Sequence, residues 1–180
     1  RSVYIGGEHG EGCFFCEKLK SKEDEDNLVL LRGKETFVIM NLYPYNNGHL
    51  LVAPKRHVGE IEDLSEEEMM ELFKMTRDMV KALRAFKPEG FNVGANIGRV
   101  AGAGVPGHFH IHVVPRWNGD TNFMPVLGDT KVISESLEVT YKKIKESLEK
   151  NCAHLSIKKT FNRTLTGGQS RADVQFRPPE

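Results

Sequence analysis

Three cysteines in 180 residues are too few, and an odd number, for a disulfide framework. No apolar run approaches the ~18 residues that a membrane-spanning helix requires, and residues 1–12 lack the apolar core of a secretory signal. Net charge is also missing, since Lys+Arg and Asp+Glu each count 25. A protein held to nucleic acid or anionic lipid by bulk charge is thereby excluded, leaving only local patches. There is no internal repeat and no long low-complexity stretch. What is present, 39% hydrophobic and 28% charged residues, suits a soluble domain with a single core. Unpaired thiols point to a reducing, cytoplasmic setting. At ~150 residues per domain the chain divides into a domain at 1–150 and an extension at 151–180. That extension is polar, contains Gly and Pro, has no period, and reads as extended or disordered.

Periodicity orders the domain. Two β-prone runs, 28–31 and 37–40, flank Arg32-Gly33-Lys34-Glu35 and predict a hairpin with Gly33 at its turn. A third strand is predicted over 49–53, ended by Pro54. Ser65 and Glu68 form a capping-box pattern, with Leu64 placed to staple onto Met69. Met69, Leu72, Phe73, Met79, Val80, Leu83 and Phe86 then recur at helical spacing as one apolar stripe, stopped by Pro88 and Gly90. Strands are predicted over 91–95 and 109–115, separated by a Gly/Ala-rich loop at 100–107. A second helix, 134–150, carries Leu137, Tyr141, Ile144 and Leu148. The charge-dense segment 17–26 reads as a solvated loop or frayed helix. These elements predict an α+β domain with a mostly antiparallel five-stranded sheet and two main helices.

The densest chemistry lies in Gly107-His108-Phe109-His110-Ile111-His112-Val113-Val114-Pro115-Arg116-Trp117. Strand side chains alternate faces, so His108, His110 and His112 share one face while Phe109, Ile111 and Val113 share the other, toward a helix. An exposed polar face, a three-histidine metal site and a histidine nucleophile oriented by its neighbours all fit this register. With only seven histidines in the chain, three at strict alternation argue against chance. Cys13-Phe14-Phe15-Cys16 has the C-x-x-C spacing of a zinc knuckle. A redox pair shares that spacing, but no βαβ pattern accompanies it here. Cys152-Ala153-His154 has no companion pair, and His9 has no evident role.

The run His-φ-His-φ-His-φ-φ, where φ is apolar, resembles the histidine-triad (HIT) family. The likeness extends over about residues 13–148. Asn41, Gly48-His49 and Pro54 match the family's nucleotide-contacting strands, and Asn96-Ile97-Gly98 with Ala101-Gly102 matches its approach to the triad. The continuation Pro115-Arg116-Trp117-Asn118-Gly119-Asp120-Thr121-Asn122-Phe123-Met124 looks like the branch of diadenosine tetraphosphate phosphorylases.

The resemblance implies an HIT-like fold, a homodimer, and nucleotidyl transfer through a covalent intermediate. His110 would be the nucleophile, with His112 stabilising phosphate charge and Asn96 donating to phosphate or the leaving oxygen. Asn41 would contact ribose, and Leu42, Pro44 and Leu51 would line the purine slot, although Leu51 reads equally as core. The amides around Ala103 and Gly104 would line the anion, and Trp117 would lie near the phosphate end. Many members carry a hydroxyl or amide side chain where this chain has Gly104, so a side-chain phosphate contact is missing. Cys13, Cys16, His57 and His108 match the ligands of a structural Zn²⁺ in zinc-bearing relatives. Such a closed set would brace the triad strand and leave His110 and His112 for phosphate chemistry. His49 either hydrogen-bonds behind the triad or ends a turn. The implied partners are adenine nucleotides or dinucleoside polyphosphates, with inorganic phosphate as acceptor and water as the rival acceptor. A non-catalytic nucleotide sensor is the reading of a different class.

Overall fold

The structure is a computed structural model and describes residues 12–121 and 133–151. Strands β1 (Val29–Arg32), β2 (Thr36–Met40), β3 (Leu50–Pro54), β4 (Gly90–Gly94) and β5 (Ile111–Arg116) form one sheet in the order β1-β2-β3-β5-β4. Every neighbouring pair is antiparallel. Helices α1 (Phe14–Lys20), α2 (Glu66–Leu83) and α3 (Leu137–Asn151) complete the α+β fold among the described residues. None of these helices is long and apolar enough to cross a membrane.

The predicted hairpin is β1–β2. The Gly33 amide donates to Thr36 O at 2.7 Å. The Glu71 carboxylate of α2 accepts the amides of Lys34, Glu35 and Thr36 at 2.9, 2.5 and 2.8 Å. Helix α2 starts where its capping box predicts: Ser65 Oγ accepts the Glu68 amide at 3.2 Å, and Glu68 Oε2 accepts the Ser65 amide at 2.9 Å. Its buried stripe is Leu72, Met75, Met79, Ala82 and Leu83. Met69 and Phe73, assigned to the stripe from spacing, are instead 39% and 70% exposed. Phe73 follows Leu72 by a 100° step, which carries it off the buried face.

Strands β2 and β3 are buried along their whole length, so both faces of the sheet are covered. On one face Val38, Met40, Leu50, Val52, Phe109, Ile111 and Val113 pack with Leu72, Met75 and Met79 of α2 and Tyr141, Ile144 and Leu148 of α3. On the other, Val29, Phe37, Ile39, Leu51 and Ala53 pack against Phe15 of α1. Leu51 is therefore core. The α1 cover is what the charge-dense reading of residues 17–26 missed, because the helix is seated by the buried Phe15 with Phe14 and Leu19 packed beside it, and the two aromatics precede that segment. The ladder of β5 begins at Ile111, later than predicted, yet Phe109 still hydrogen-bonds Val58 O at 2.7 Å and the alternation of faces is kept.

Candidate active site and metal centre

Two clusters of histidine share one face of the sheet. In the first, Cys13 Sγ lies 3.3 Å and Cys16 Sγ 3.7 Å from His108 Nδ1, and Cys16 Sγ lies 3.4 Å from His57 Nδ1. The four ligand atoms fall within 4.8 Å of one another. Zn–S near 2.3 Å and Zn–N near 2.05 Å at tetrahedral angles put sulfur and nitrogen ~3.6 Å apart, which these spacings match. His108 Nε2 donates to Pro54 O at 2.8 Å; a carbonyl only accepts, so the proton is on Nε2 and the Nδ1 lone pair faces the thiols. Burial, with Cys13 beside it, pushes the Cys16 thiol up, so its proton leaves when a cation takes its place. The donor set therefore fits a closed zinc site, with Cys13 and Cys16 at the start of α1 and His57 and His108 on the segments after β3 and before β5.

The second cluster is built two residues along. His110 is 6% exposed, and its Nδ1–H donates to His108 O at 2.8 Å. That bond leaves Nε2 unprotonated. Burial lowers the His110 pKa against the opposing effect of the His108 carbonyl, so the ring is neutral at neutral pH. His112 lies 4.9 Å away, ring centroid to ring centroid. Its tautomer is set from behind. The Tyr45 amide donates to His49 Nδ1 at 3.0 Å, so the His49 proton is on Nε2 and is donated to His112 Nδ1 at 2.9 Å. His112 then carries its own proton on Nε2, and that atom is buried without a partner among the described residues. A buried orphan donor costs free energy unless a ligand satisfies it, and here its ring neighbours the His110 ring with its unprotonated Nε2. Burial, with His110 adding, holds His112 near 4, and burial, with His112 and His110 adding, holds His49 near 3. The ring of Tyr45 stacks on His112 at 5.7 Å and 13°.

Around this pair the structure gathers some of the sequence-assigned residues and not others. Asn41 Nδ2 lies 3.3 Å from His49 Nδ1, and Asn41 Oδ1 accepts the Tyr43 amide at 2.9 Å, which puts Asn41 beside the relay. Leu42 is 41% exposed on the same turn as the half-buried Pro44. Asn96 donates to Gly102 O at 3.4 Å across the loop leading to the triad, a loop in which Gly98 and Gly102 adopt positive φ. The Ala103 amide is not free for an anion, because it donates to Gly98 O at 3.2 Å; Gly104 is exposed on that loop. Trp117 is not brought to the triad within this chain. Its Nε1 donates to Lys87 O at 3.2 Å, and it lines a cavity of about 1020 Å³ with Phe86, Glu135 and Lys143 that contains no triad residue. Residue parity explains this, since Trp117 is an odd number of positions from both His110 and His112 and continues the face of Ile111 and Val113. Sequence reasoning missed Tyr45 and Phe15; of the two readings left open for His49, the structure has the one that hydrogen-bonds behind the triad. His9, Asn122, Phe123, Met124, Cys152, His154 and the rest of 152–180 lie outside the described residues.

An antiparallel α+β sheet that aligns His49, His110 and His112 beside a Cys₂His₂ cluster defines a histidine-triad protein. The HIT domain family profile matches residues 22–119, and the chain belongs to that family. It is similar to the AP-4-A phosphorylase of Mycobacterium tuberculosis, 48% identical over 118 residues that make up 65% of this chain and 60% of that protein. The chain thus matches less than two thirds of that relative's length. It is 35% identical over 101 residues to the asymmetrical bis(5'-nucleosyl)-tetraphosphatase of Schizosaccharomyces pombe, covering 56% of this chain and 55% of that one. Among solved structures, a histidine triad nucleotide-binding protein of Sulfolobus tokodaii superposes with a TM-score of 0.63 at 28% identity, covering 77% of this chain and 93% of the other. A zinc-bound histidine triad family protein of Mycobacterium smegmatis superposes with a TM-score of 0.65 at 24% identity, covering 79% and 96%; this likeness speaks to the fold.

Proposed function

We propose that the chain is a nucleotidyltransferase that cleaves diadenosine tetraphosphate by phosphorolysis. The observation that carries this is the paired protonation of the two rings, with a lone pair on His110 Nε2 beside an unsatisfied Nε2–H on His112. In the first step His110 Nε2 attacks the α-phosphorus, the phosphoanhydride bond breaks, and ATP leaves while AMP stays on His110. In the second, a phosphate oxygen attacks the same phosphorus, the P–N bond breaks, and ADP leaves with His110 regenerated. His112 donates to the phosphoryl oxygens as charge develops, and its proton is held on the correct nitrogen by His49. Asn96 binds phosphate, while Asn41, Leu42 and Pro44 hold ribose and purine. The likeness to the M. tuberculosis phosphorylase favours phosphate as acceptor. The likeness to the S. pombe tetraphosphatase, together with Gly104 in place of a side-chain phosphate ligand, favours water as the alternative.

Zinc, when bound, supplies a structural brace through Cys13, Cys16, His57 and His108, a closed set with no open position for substrate. The functional unit is a homodimer. Strand β4 ends the sheet, its outer edge is unpaired among the described residues, and its Val93 is 49% exposed, which suits pairing with a second copy. Product analysis tests the reaction. Diadenosine tetraphosphate incubated with phosphate should give ATP and ADP; AMP and ATP at a rate indifferent to phosphate would assign the hydrolase instead.

A further inference from the structure

One side chain touches both clusters. Phe15 is fully buried, with its ring centroid 4.9 Å from that of His108 and 5.0 Å from that of His110, tilted 44° to each. Phe37 meets it edge-on from the sheet at 6.1 Å and 77°. In sequence Phe15 stands between Cys13 and Cys16, in the first turn of α1, with Cys13 as N-cap. Seven residues are too few for a self-sustaining helix, and the Cys13 side chain makes no capping hydrogen bond. The C-terminal end of α1 is held by the Arg32 guanidinium, which donates to the carbonyls of Lys18, Leu19 and Ser21, and Phe14 and Leu19 pack beside it; the seat of its first turn depends on what its thiols and the buried Phe15 hold. Among the described residues the His110 ring has one hydrogen bond, to the His108 carbonyl just ahead of β5, and a ring fixed at one atom still pivots. Its neighbours are His112 at 4.9 Å and Phe15.

We propose that Phe15 is a positioning residue through which occupancy of the Cys13–Cys16–His57–His108 site sets the ring of His110 for in-line attack. A cation drawing the two thiols onto His57 and His108 fixes the first turn of α1 and presses Phe15 against the His110 imidazole. The metal then acts on the nucleophile by packing, without touching substrate. Loss of the metal loosens α1, and His110 keeps its chemistry but loses its aim. The inference rests on the readings of His110 as nucleophile and of the cluster as a zinc site.

The test measures the single-turnover rate of nucleotidyl-histidine formation by intact-protein mass, alongside zinc per chain and nucleotide Kd, in wild type, Phe15→Leu and Phe15→Ala. Phe15→Leu keeps most of the volume if Phe15→Ala does not fold. Both variants should retain zinc and bind nucleotide within about threefold of wild type, yet form the adduct more slowly, by ~10-fold for Leu and up to ~100-fold for Ala, the scale of a misplaced reacting group. The NMR signal of the His110 Nδ1 proton should exchange faster in both. Stripping zinc with a chelator should slow wild type similarly but slow Phe15→Leu by less than about twofold further, because the two perturbations share one route. Full-rate adduct formation in zinc-loaded Phe15→Leu, or chelation and substitution effects that multiply, would overturn the inference. So would a rate deficit that saturating zinc restores, since Phe15 would then serve metal binding alone. A wild type that binds nucleotide but never forms an adduct overturns the assignment of His110 itself, and a wild type without zinc overturns the metal reading.

Discussion

His49 Nε2 and His112 Nδ1 stand 2.9 Å apart, and the proton between them belongs to His49, because the Tyr45 amide occupies its other nitrogen at 3.0 Å. One backbone N–H thus decides, two rings away, that His112 carries its proton on Nε2. A main-chain group has no alternative protonation state, so the relay is fixed by the fold and not by solvent pH.

Breaking that relay should cost rate more than binding. His49→Phe keeps the ring volume but removes the donor to His112, freeing it to place its proton on either nitrogen. The expected outcome is a fall in kcat/KM of about 100-fold, within the range for losing a positioned acid–base group. Zinc content and nucleotide affinity should stay close to wild type. Steady-state kinetics with diadenosine tetraphosphate reads this directly, and an unchanged kcat/KM would remove His49 from the mechanism.

Stability should fall as the solution is acidified below neutrality. His49 and His112 titrate near 3 and 4 in the folded chain because burial disfavours their charged forms, against ~6.5 when unfolded. Between those limits the unfolded chain binds protons that the folded chain refuses, so stability is lost as pH drops from about 6.5 toward 4, by up to about 1.4 kcal/mol per pH unit for each group. Denaturant midpoints measured from pH 7 to pH 4.5 should decline in wild type and decline less steeply in His49→Phe. Parallel slopes for the two proteins would contradict the burial-driven shifts.

Zinc held by the four ligands should contribute measurably to stability. Cys16→Ser is expected to abolish bound zinc, read by elemental analysis. A ligand present at a thousand times its Kd stabilises by about 4 kcal/mol, which at ~2–4 °C per kcal/mol is a loss of roughly 8–16 °C in Tm. The same substitution in a protein already stripped by chelator should change Tm little.

A control lies on the far side of the sheet. Glu71→Ala strips the β1–β2 turn of the carboxylate that accepts three of its amides and the Thr36 hydroxyl. Lys34 is exposed but Thr36 is buried, so water replaces only part of what Glu71 accepts and the cost should be about 1–3 kcal/mol, measured by denaturant unfolding. Activity at 25 °C should be unaffected.

Much of this was legible in the residues themselves. The period-two run from His108 to Val113 told which side chains share a face, and the Ser65/Glu68 box marked the start of α2. The spacing of Cys13 and Cys16 pointed to a candidate metal pair, and the fold brings His57 and His108, remote in sequence, to it. What stayed hidden has physical causes. The cover provided by α1 rests on Phe15 with Phe14 and Leu19 beside it, just ahead of and overlapping a charged segment, and seven residues are too few to show a period. A signal was nonetheless present: β2 and β3 read as continuous apolar runs, Thr36-Phe37-Val38-Ile39-Met40 and Leu50-Leu51-Val52-Ala53-Pro54, as strands covered on both faces do. Residue parity also tells Trp117 from His112. Tautomers are written in no residue type; they follow from Tyr45, Pro54 and the His108 carbonyl arriving at particular nitrogens.

The bond between His110 and phosphorus is the central step of the proposed reaction. Wild-type protein mixed with diadenosine tetraphosphate, quenched within one turnover and analysed by intact and peptide mass spectrometry, should gain the mass of one adenylyl group on the peptide containing His110. His110→Ala should show none while still binding nucleotide. Turnover without any adduct, or an adduct that survives in His110→Ala, would contradict it.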